Sequence, residues 1–426
     1  MIYFAGSFGW IVEFLRERHI GGESAFWANQ AISFNLNPPF AISLVIIIAL
    51  FHILFNLSDS SRFRNISLAI LLAGSLIGFK SYGAILVLAA FLLTGLLKRN
   101  WSYLIIFAGA ILVSLLIFLP NFDLTSTLLV FAPFWFIHSM IDSPDRVGWV
   151  RLSLAREVGI TTHNWFKFIL AEALSLAIFI AGNLGLRIIS LISLIKIKNI
   201  IKDEKILFIF IFALLSFMIP ILFIQSGNPW NTIQFSYYGI YIAALVSGVV
   251  LSKVLKLPKY ILVPVILIIL ILAPINSLVT ANGYFGKTPH AFISSKELAG
   301  LQFLSGQPDG VVLTYPYDNK LKQKLSEPWP LLVYDSTAYV SALSQKAVYL
   351  EDEPQNQILL TDYKKRLVAS KDFSLKPISE EVKFLLENNI KYVYLPKIFN
   401  VRLDESTKLI KNIFENEEVV IYKLNI

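Results

Sequence analysis

Three short stretches hold the side chains whose types could do chemistry. Lys80 and Tyr82 stand in GFKSYG, Arg146, Arg151, Arg156, His163 and Asn164 fall within twenty residues of one another, and Trp230, Asn231, Gln234, Tyr237 and Tyr238 stand in GNPWNTIQFSYYG. An arginine fork can give two hydrogen bonds to one phosphate, and a lysine supplies a compact charge. Aromatic rings at a membrane edge stack on flat partners or anchor headgroups. The set fits a phosphorylated lipid with a polar headgroup, such as a polyprenyl-phosphate sugar. Plainer readings stand beside it: the rings as an aromatic belt, Arg151 and Arg156 against lipid phosphates, Lys80 snorkelling to the interface. Asn231 and Gln234, near the start of an apolar run, need partners once buried.

The elements that must hold these residues are membrane spans. Of 426 residues 56% are hydrophobic and 15% charged, and the mean hydropathy of +0.64 lies far outside the soluble range. Up to Lys287 the chain carries 20 Lys/Arg against 11 Asp/Glu, and beyond it 17 against 18. The excess positive charge therefore belongs to the apolar part, as anionic headgroups and the positive-inside bias require. No basic stripe of the kind nucleic acid needs is present. The absence of cysteine excludes disulfides, thiolate metal sites and cysteine nucleophiles.

Apolar runs at 39–57, 66–79, 82–97, 101–119, 166–195, 206–224, 233–252 and 260–275 predict about eight spans. The basic clusters Arg62/Arg64, Lys98/Arg99, Lys196 to Lys205 and Lys253 to Lys259 then fall on one side, the cytoplasmic one. Lys80, the 120–165 loop, the GNPWNTIQFSYYG clip and everything after Ile275 fall on the other. Three alternatives would alter this parity: two spans broken at GNLG (Gly182–Gly185), a span over Leu124–Ile141 instead of an interfacial or re-entrant segment, or a single long helix through Lys80.

Four regions follow. Residues 1–38 form an extracytoplasmic or interfacial segment without a signal peptide and read like the interior of a longer protein. Residues 39–275 form the transmembrane helical domain and 276–289 a linker. Residues 290–426 form an extracytoplasmic α/β domain, with strands expected at GVVLTYP, KAVYLED, KYVYLPK and VVIYKLN. Helices are expected there at SSKELAGLQFLSG, QNQILLTDYKKRLVAS, SEEVKFLLENN and STKLIKNIFE, with a short helix or turn near STAYVSALS. No dinucleotide, Walker or nucleophile-elbow fingerprint is present. A divalent cation could bind the carboxylates of Glu351 to Glu353, although a solvated acidic turn is the simpler reading.

GFKSYGAILVLAAFLLTGLLK with its Lys-x-Tyr pair, the NPPFAISL entry to the first span, and PWNTIQFSYY resemble the polytopic glycosyltransferases of the GT-C superfamily. The resemblance implies a protein of the cytoplasmic membrane that takes a sugar from a polyprenyl-phosphate donor at the outer face for cell-envelope glycan assembly. It implies a carboxylate base in the first outer loop and cations on the departing lipid phosphate. The sequence departs from that pattern, because no Asp-Asp or Asp-Glu pair precedes the first span and Glu23 is the best remaining acid. Upstream spans carrying the base would then be missing.

Two other classes compete. A lipid or solute transporter would use ionisable residues inside spans, where Glu172 and Arg187 are the main candidates and Arg187 is expected to snorkel. A non-catalytic scaffold would recruit partners through the 290–426 domain. Membrane lipids and a polyprenyl-phosphate sugar are the expected partners.

Overall fold

The computed structural model describes the chain outside residues 1–4, 22–24, 29–36, 58–61, 120–128, 227, 255–257, 286–287, 359–361, 374–377, 404–408 and 426. It divides into two compact units, Met1–Gly286 and Lys287–Ile426.

In the first unit, eight helical segments among the described residues are long and apolar enough to cross a membrane. A short α1 (Gly9–Glu17) is followed by α2 (Pro38–Phe55), α3 (Arg62–Phe79), α4 (Ser81–Lys98) and α5 (Trp101–Phe118). Then come β1 (Leu129–Phe131), α6 (Trp135–Asp142), α7 (Val150–Thr161) and α8 (Trp165–Leu184), which runs into a 3-10 helix (Gly185–Lys196) and α9 (Ile197–Lys202). The unit closes with α10 (Glu204–Leu222), β2 (Phe223–Gln225), a short 3-10 turn (Pro229–Ile233), α11 (Gln234–Val254), α12 (Lys259–Leu272) and α13 (Ile275–Phe285). The last of these occupies much of the stretch expected to be a linker.

The sequence starts these helices with local caps. Asn37 accepts from Phe40 N ahead of Pro38–Pro39, Asn100 from Ser102 N, Asn164 from Lys167 N, and Asp203 from Lys205 N and Ile206 N. The core between α2, α4, α10 and α11 is aromatic and aliphatic: Phe40, Leu44, Phe51, Val87, Phe91, Phe208, Phe212 and Tyr238 are buried together. Backbones approach closely where small residues allow it. A Cβ on Gly74 of α3 would stand 2.5 Å from Val113 Cβ of α5, and Ser114 Oγ donates to the Gly74 carbonyl.

The basic clusters gather at one end of this bundle. Lys98 Nζ donates to the Lys202 carbonyl and Lys205 Nζ to the Phe55 carbonyl, each at 3.0 Å, while Arg62 bonds Ser102 Oγ and Asn100 bonds Glu204. Asn37, Lys80, Gln225 and Gln234 mark the opposite end.

Residues 166–195 are not the single uniform span expected. The continuous segment runs Trp165–Lys202, 38 residues, nearly twice what a bilayer needs. Gly185, at φ +54°, breaks it within GNLG. Below the break the 3-10 helix lies along α11, where Ser247 Oγ donates to the Arg187 carbonyl at 3.1 Å. Above it, α8 packs on α6 and α7, with Gly159 against Phe168. The Leu124–Ile141 stretch holds only β1 and the eight-residue α6 among its described residues, too little for a span.

The second unit contains β3 (Ala291–Phe292), α14 (Ser295–Ser305), β4 (Val311–Thr314), α15 (Asn319–Lys322), β5 (Trp329–Pro330), α16 (Leu331–Tyr334), α17 (Tyr339–Ser344), α18 (Glu353–Ile358), α19 (Tyr363–Phe373), α20 (Ile378–Glu387), β6 (Ile390–Pro396), β7 (Ile410–Glu415) and β8 (Val419–Leu424). Its main sheet has the order β4-β6-β8-β7, with β4 parallel to β6 and the other pairs antiparallel. Alternation along β6 sends Tyr392 and Tyr394 against Leu301 and Leu304 of α14, and Val393 and Leu395 against Phe384 and Leu385 of α20.

Two expectations for this unit change. STKLIKNIFE, read as a helix, ends in strand β7, because Asn416 Oδ1 accepts from Glu418 N and Val419 N and turns the chain into a hairpin with β8. KAVYLED forms no strand and contributes one parallel bridge, Val348 to Val312.

Candidate functional site

The end of the bundle opposite the basic clusters is built by segments that are far apart in sequence. β1 pairs with β2, and Ala132 N and Phe134 N donate to the Leu222 and Ile221 carbonyls, so α6 is fixed on the end of α10. Gln225 N donates to Thr232 Oγ1 at 2.6 Å, which folds the 3-10 turn of the Trp230 clip back onto β2. Arg16 of α1 donates to the Pro144 and Arg146 carbonyls.

A polar chain runs across this end. Tyr82 donates its hydroxyl to Gln225 Oε1 at 2.6 Å, and the Lys80 ammonium lies 5.2 Å from the Tyr82 ring centre. Lys80 is half-buried, and burial holds its pKa below the usual lysine value with no carboxylate acting against that shift. Gln234 Nε2 donates to Asn231 Oδ1 at 3.2 Å, and Asn37 Nδ2 reaches Gln234 Oε1 at 3.5 Å.

Next to it stands a stack of three indoles. Trp230 packs on Trp27 at 4.3 Å and on Trp135 at 4.5 Å between ring centres, and Arg146 covers Trp27 at 3.7 Å. Trp230 keeps 43% of its surface exposed, so the stack presents an aromatic face to its surroundings. One helical turn from Trp135, His138 Nε2 bonds Glu172 of α8 at 2.9 Å. Arg156 of α7 bonds Asp142 at 2.6 Å and approaches Glu172 at 3.9 Å, while Ser153 donates to the other Asp142 oxygen. A carboxylate that orients an imidazole beside an aromatic platform can move a proton to or from a hydroxyl held there.

The structure thus brings Lys80, Tyr82, Arg146, Trp230, Asn231 and Gln234 to one end of the bundle. Tyr237 packs edge-on to Phe40. Tyr238 is a core residue, wholly buried, with its hydroxyl 2.7 Å from Ser43 Oγ. Arg151 is exposed on α7, and its neighbour Arg156 is the one drawn in. Glu23 lies outside the described residues. The expectation that Arg187 snorkels is overturned: it is 2% exposed, enclosed where the 3-10 helix lies along α11. The His138–Glu172 pair escaped sequence reasoning because 34 residues separate its members.

For metals, Glu13, Glu17 and His19 bring ligand atoms within 4.8 Å of one another, but Arg16 pairs with both carboxylates at 3.6 and 2.7 Å and already supplies the positive charge. In the second unit, Glu351 accepts from Val340 N and Ser341 N and so caps α17. Against known proteins, no family model matches the chain and no curated protein matches it significantly.

Proposed function

We propose that the chain is an integral protein of the cytoplasmic membrane, with its basic end inside, that takes a polyprenyl-phosphate-linked sugar at the outer end of the bundle for cell-envelope glycan assembly. The observation that carries this reading is the His138–Glu172 pair one turn from the Trp27–Trp230–Trp135 stack. The aromatic face would receive the sugar, Asn231 and Gln234 would read its hydroxyls, and His138, oriented by Glu172, would accept the proton of the attacking hydroxyl. Lys80 and Arg146 would offset charge on the departing lipid phosphate. The 290–426 region would then stand outside the cytoplasm.

The test uses the full chain in nanodiscs with undecaprenyl-phosphate sugars and water or a glycan as acceptor. Release of undecaprenyl phosphate that falls about 100-fold or more in His138→Gln, with donor binding kept by native mass spectrometry, supports the reading. No release and no donor binding beyond that of bulk anionic lipid overturns it.

Ion-coupled transport is the second reading, favoured by the same contact, since a Glu172 only 13% exposed and bonded to histidine is also a proton-relay arrangement. It predicts substrate flux in proteoliposomes that Glu172→Gln abolishes.

A further inference from the structure

Three neighbouring segments of the second unit run parallel and end at the same edge. β4 lies between β6, its parallel partner, and Val348, which forms a parallel bridge with Val312. The chain leaving β4 returns to Val348 through α17, on the face that α14 covers, and the chain leaving Val348 reaches β6 through α20, on the other face. Where the connections after two adjacent parallel segments part to opposite faces, a crevice opens outside their carboxyl ends, and open α/β sheets take ligands there. A cleft lies at this place. It is lined by Thr314 to Tyr317 after β4, by Leu350 to Glu353 after the Val348 bridge, and by Pro396 and Phe399 at the end of β6.

The walls say what kind of ligand fits. Tyr315 stacks on Phe399 with ring centres 4.1 Å apart, joining the loop after β4 to the one after β6, and Tyr317 and Tyr339 add further rings. Asp335, Asp352 and Glu353 supply carboxylates, and Glu353 N donates to Ser336 Oγ at 2.9 Å, which ties the Asp335 and Glu353 segments together. No lysine, arginine or histidine stands among the described lining residues. Lys371 acts on Glu353 from outside the lining, and Lys322 of α15 lies over the Trp329 ring instead. The Tyr317 phenol registers the resulting field: burial raises its pKa, and Asp335, Asp318 and Glu353 raise it further.

A phosphate or carboxylate would meet only like charge in this cleft. A metal ion fits no better, because among the described residues no three of these carboxylates bring oxygens within 4.8 Å of one another, and Glu351 is committed to Val340 N and Ser341 N. Rings with dispersed negative charge suit a larger, softer cation. Thr337 Oγ1, of another lining residue, is buried without a hydrogen-bond partner, so the wall also holds a polar atom that its own structure leaves unsatisfied.

We propose that this crevice binds an organic cation, a substituted ammonium group held against the rings with Asp335 and Glu353 balancing its charge. The inference does not rest on the transferase reading, since it uses no residue of the first unit.

The test uses the purified full chain in an uncharged detergent and saturation-transfer NMR of two ligand pairs: choline with its neutral isostere, in which carbon replaces nitrogen, and glucosamine with glucose. At least one cation is expected to bind about tenfold or more tightly than its neutral counterpart. The tighter cation names the source, glucosamine an amino sugar and choline an alkylammonium. Asp335→Asn combined with Glu353→Gln keeps shape and hydrogen-bond acceptors and should abolish the preference, while Glu387→Gln, which removes an exposed charge from α20, should leave it intact. Phe399→Leu should weaken the cation severalfold with both carboxylates in place. Equal binding of cation and neutral partner in both pairs overturns the proposal. So does a preference that survives the double variant, one that falls as much in Glu387→Gln, or one that ignores Phe399→Leu.

Discussion

The hydroxyl of Tyr82 and the side-chain carbonyl of Gln225 meet at 2.6 Å, joining the first turn of α4 to β2 across 143 residues of sequence. The bond closes the polar end of the bundle beside Lys80. Tyr82→Phe keeps the ring, and with it the edge contact to Phe235 at 4.9 Å, but leaves Gln225 half-buried without its donor. A loss of about 1 kcal/mol in unfolding free energy is expected, measured by denaturant titration in a fixed detergent. Gln225→Leu combined with Tyr82→Phe should cost less than the sum of the two single changes, because it removes both partners of one bond.

Arg146 over Trp27 predicts an asymmetry between its replacements. A guanidinium stacks flat on an indole, and an ammonium does not. Arg146→Lys should therefore lose much of the contact, about 1 kcal/mol, and Arg146→Ala somewhat more. The readout is tryptophan emission: exposure of the Trp27–Trp230–Trp135 stack should shift it to the red in both variants. Unshifted emission would detach Arg146 from the stack.

What could be read from sequence follows from the range of each signal. Eight apolar runs announce eight helical segments because a bilayer asks each for about twenty consecutive residues, a local demand. GNLG could be suspected as a break, but not that a 3-10 helix would follow it, because that helix depends on packing along α11 at Ser247. STKLIKNIFE reads as a helix for a different reason: Leu409, Ile410, Ile413 and Phe414 have helical spacing, and only the Asn416 turn and pairing with β8 decide for a strand. At the site, Lys80, Trp230 and Gln234 announced themselves as polar or amphipathic groups beside apolar runs. His138 with Glu172, and Trp27 with Trp230, are long-range pairs that no local pattern encodes.

Glu297 of α14 gives a pH dependence whose sign can be worked out. Its carboxylate is buried and accepts from the Tyr339 and Tyr394 hydroxyls at 3.0 and 3.1 Å. Burial raises its pKa above the ordinary 4.5, more than the tyrosine bonds lower it, and Glu418 adds to the rise. The folded state therefore holds the proton more tightly than the unfolded one. Its contribution to stability is fully present below 4.5 and is lost as pH rises through the folded pKa. Glu297→Gln keeps an oxygen for both tyrosines and should remove this slope, stabilising the second unit at pH 7. Opening free energies from hydrogen exchange at β6 and β8 amides of the full chain, between about pH 4.5 and 7, measure it. A slope that persists in Glu297→Gln would assign it to another group, with buried Glu351, also shifted upward, the next to test.

Gly185 fixes where α8 ends and the 3-10 helix begins. Its φ of +54° is one that side chains rarely adopt, and an added Cβ would stand 2.2 Å from the Gly6 carbonyl oxygen. Both constraints are backbone ones, so no rotamer change relieves them. Gly185→Ala should cost well over about 1 kcal/mol and reduce folded protein sharply. Gly248 of α11 is the control: a Cβ there meets nothing within 4 Å, so Gly248→Ala should be neutral or stabilise by up to about 1 kcal/mol through helix propensity. The pair is compared by yield of monodisperse protein and by unfolding temperature in one detergent. Equal behaviour would mean that the break at GNLG is not enforced at Gly185. A collapse confined to Gly185→Ala would tie the break and the start of the 3-10 helix to a single backbone position.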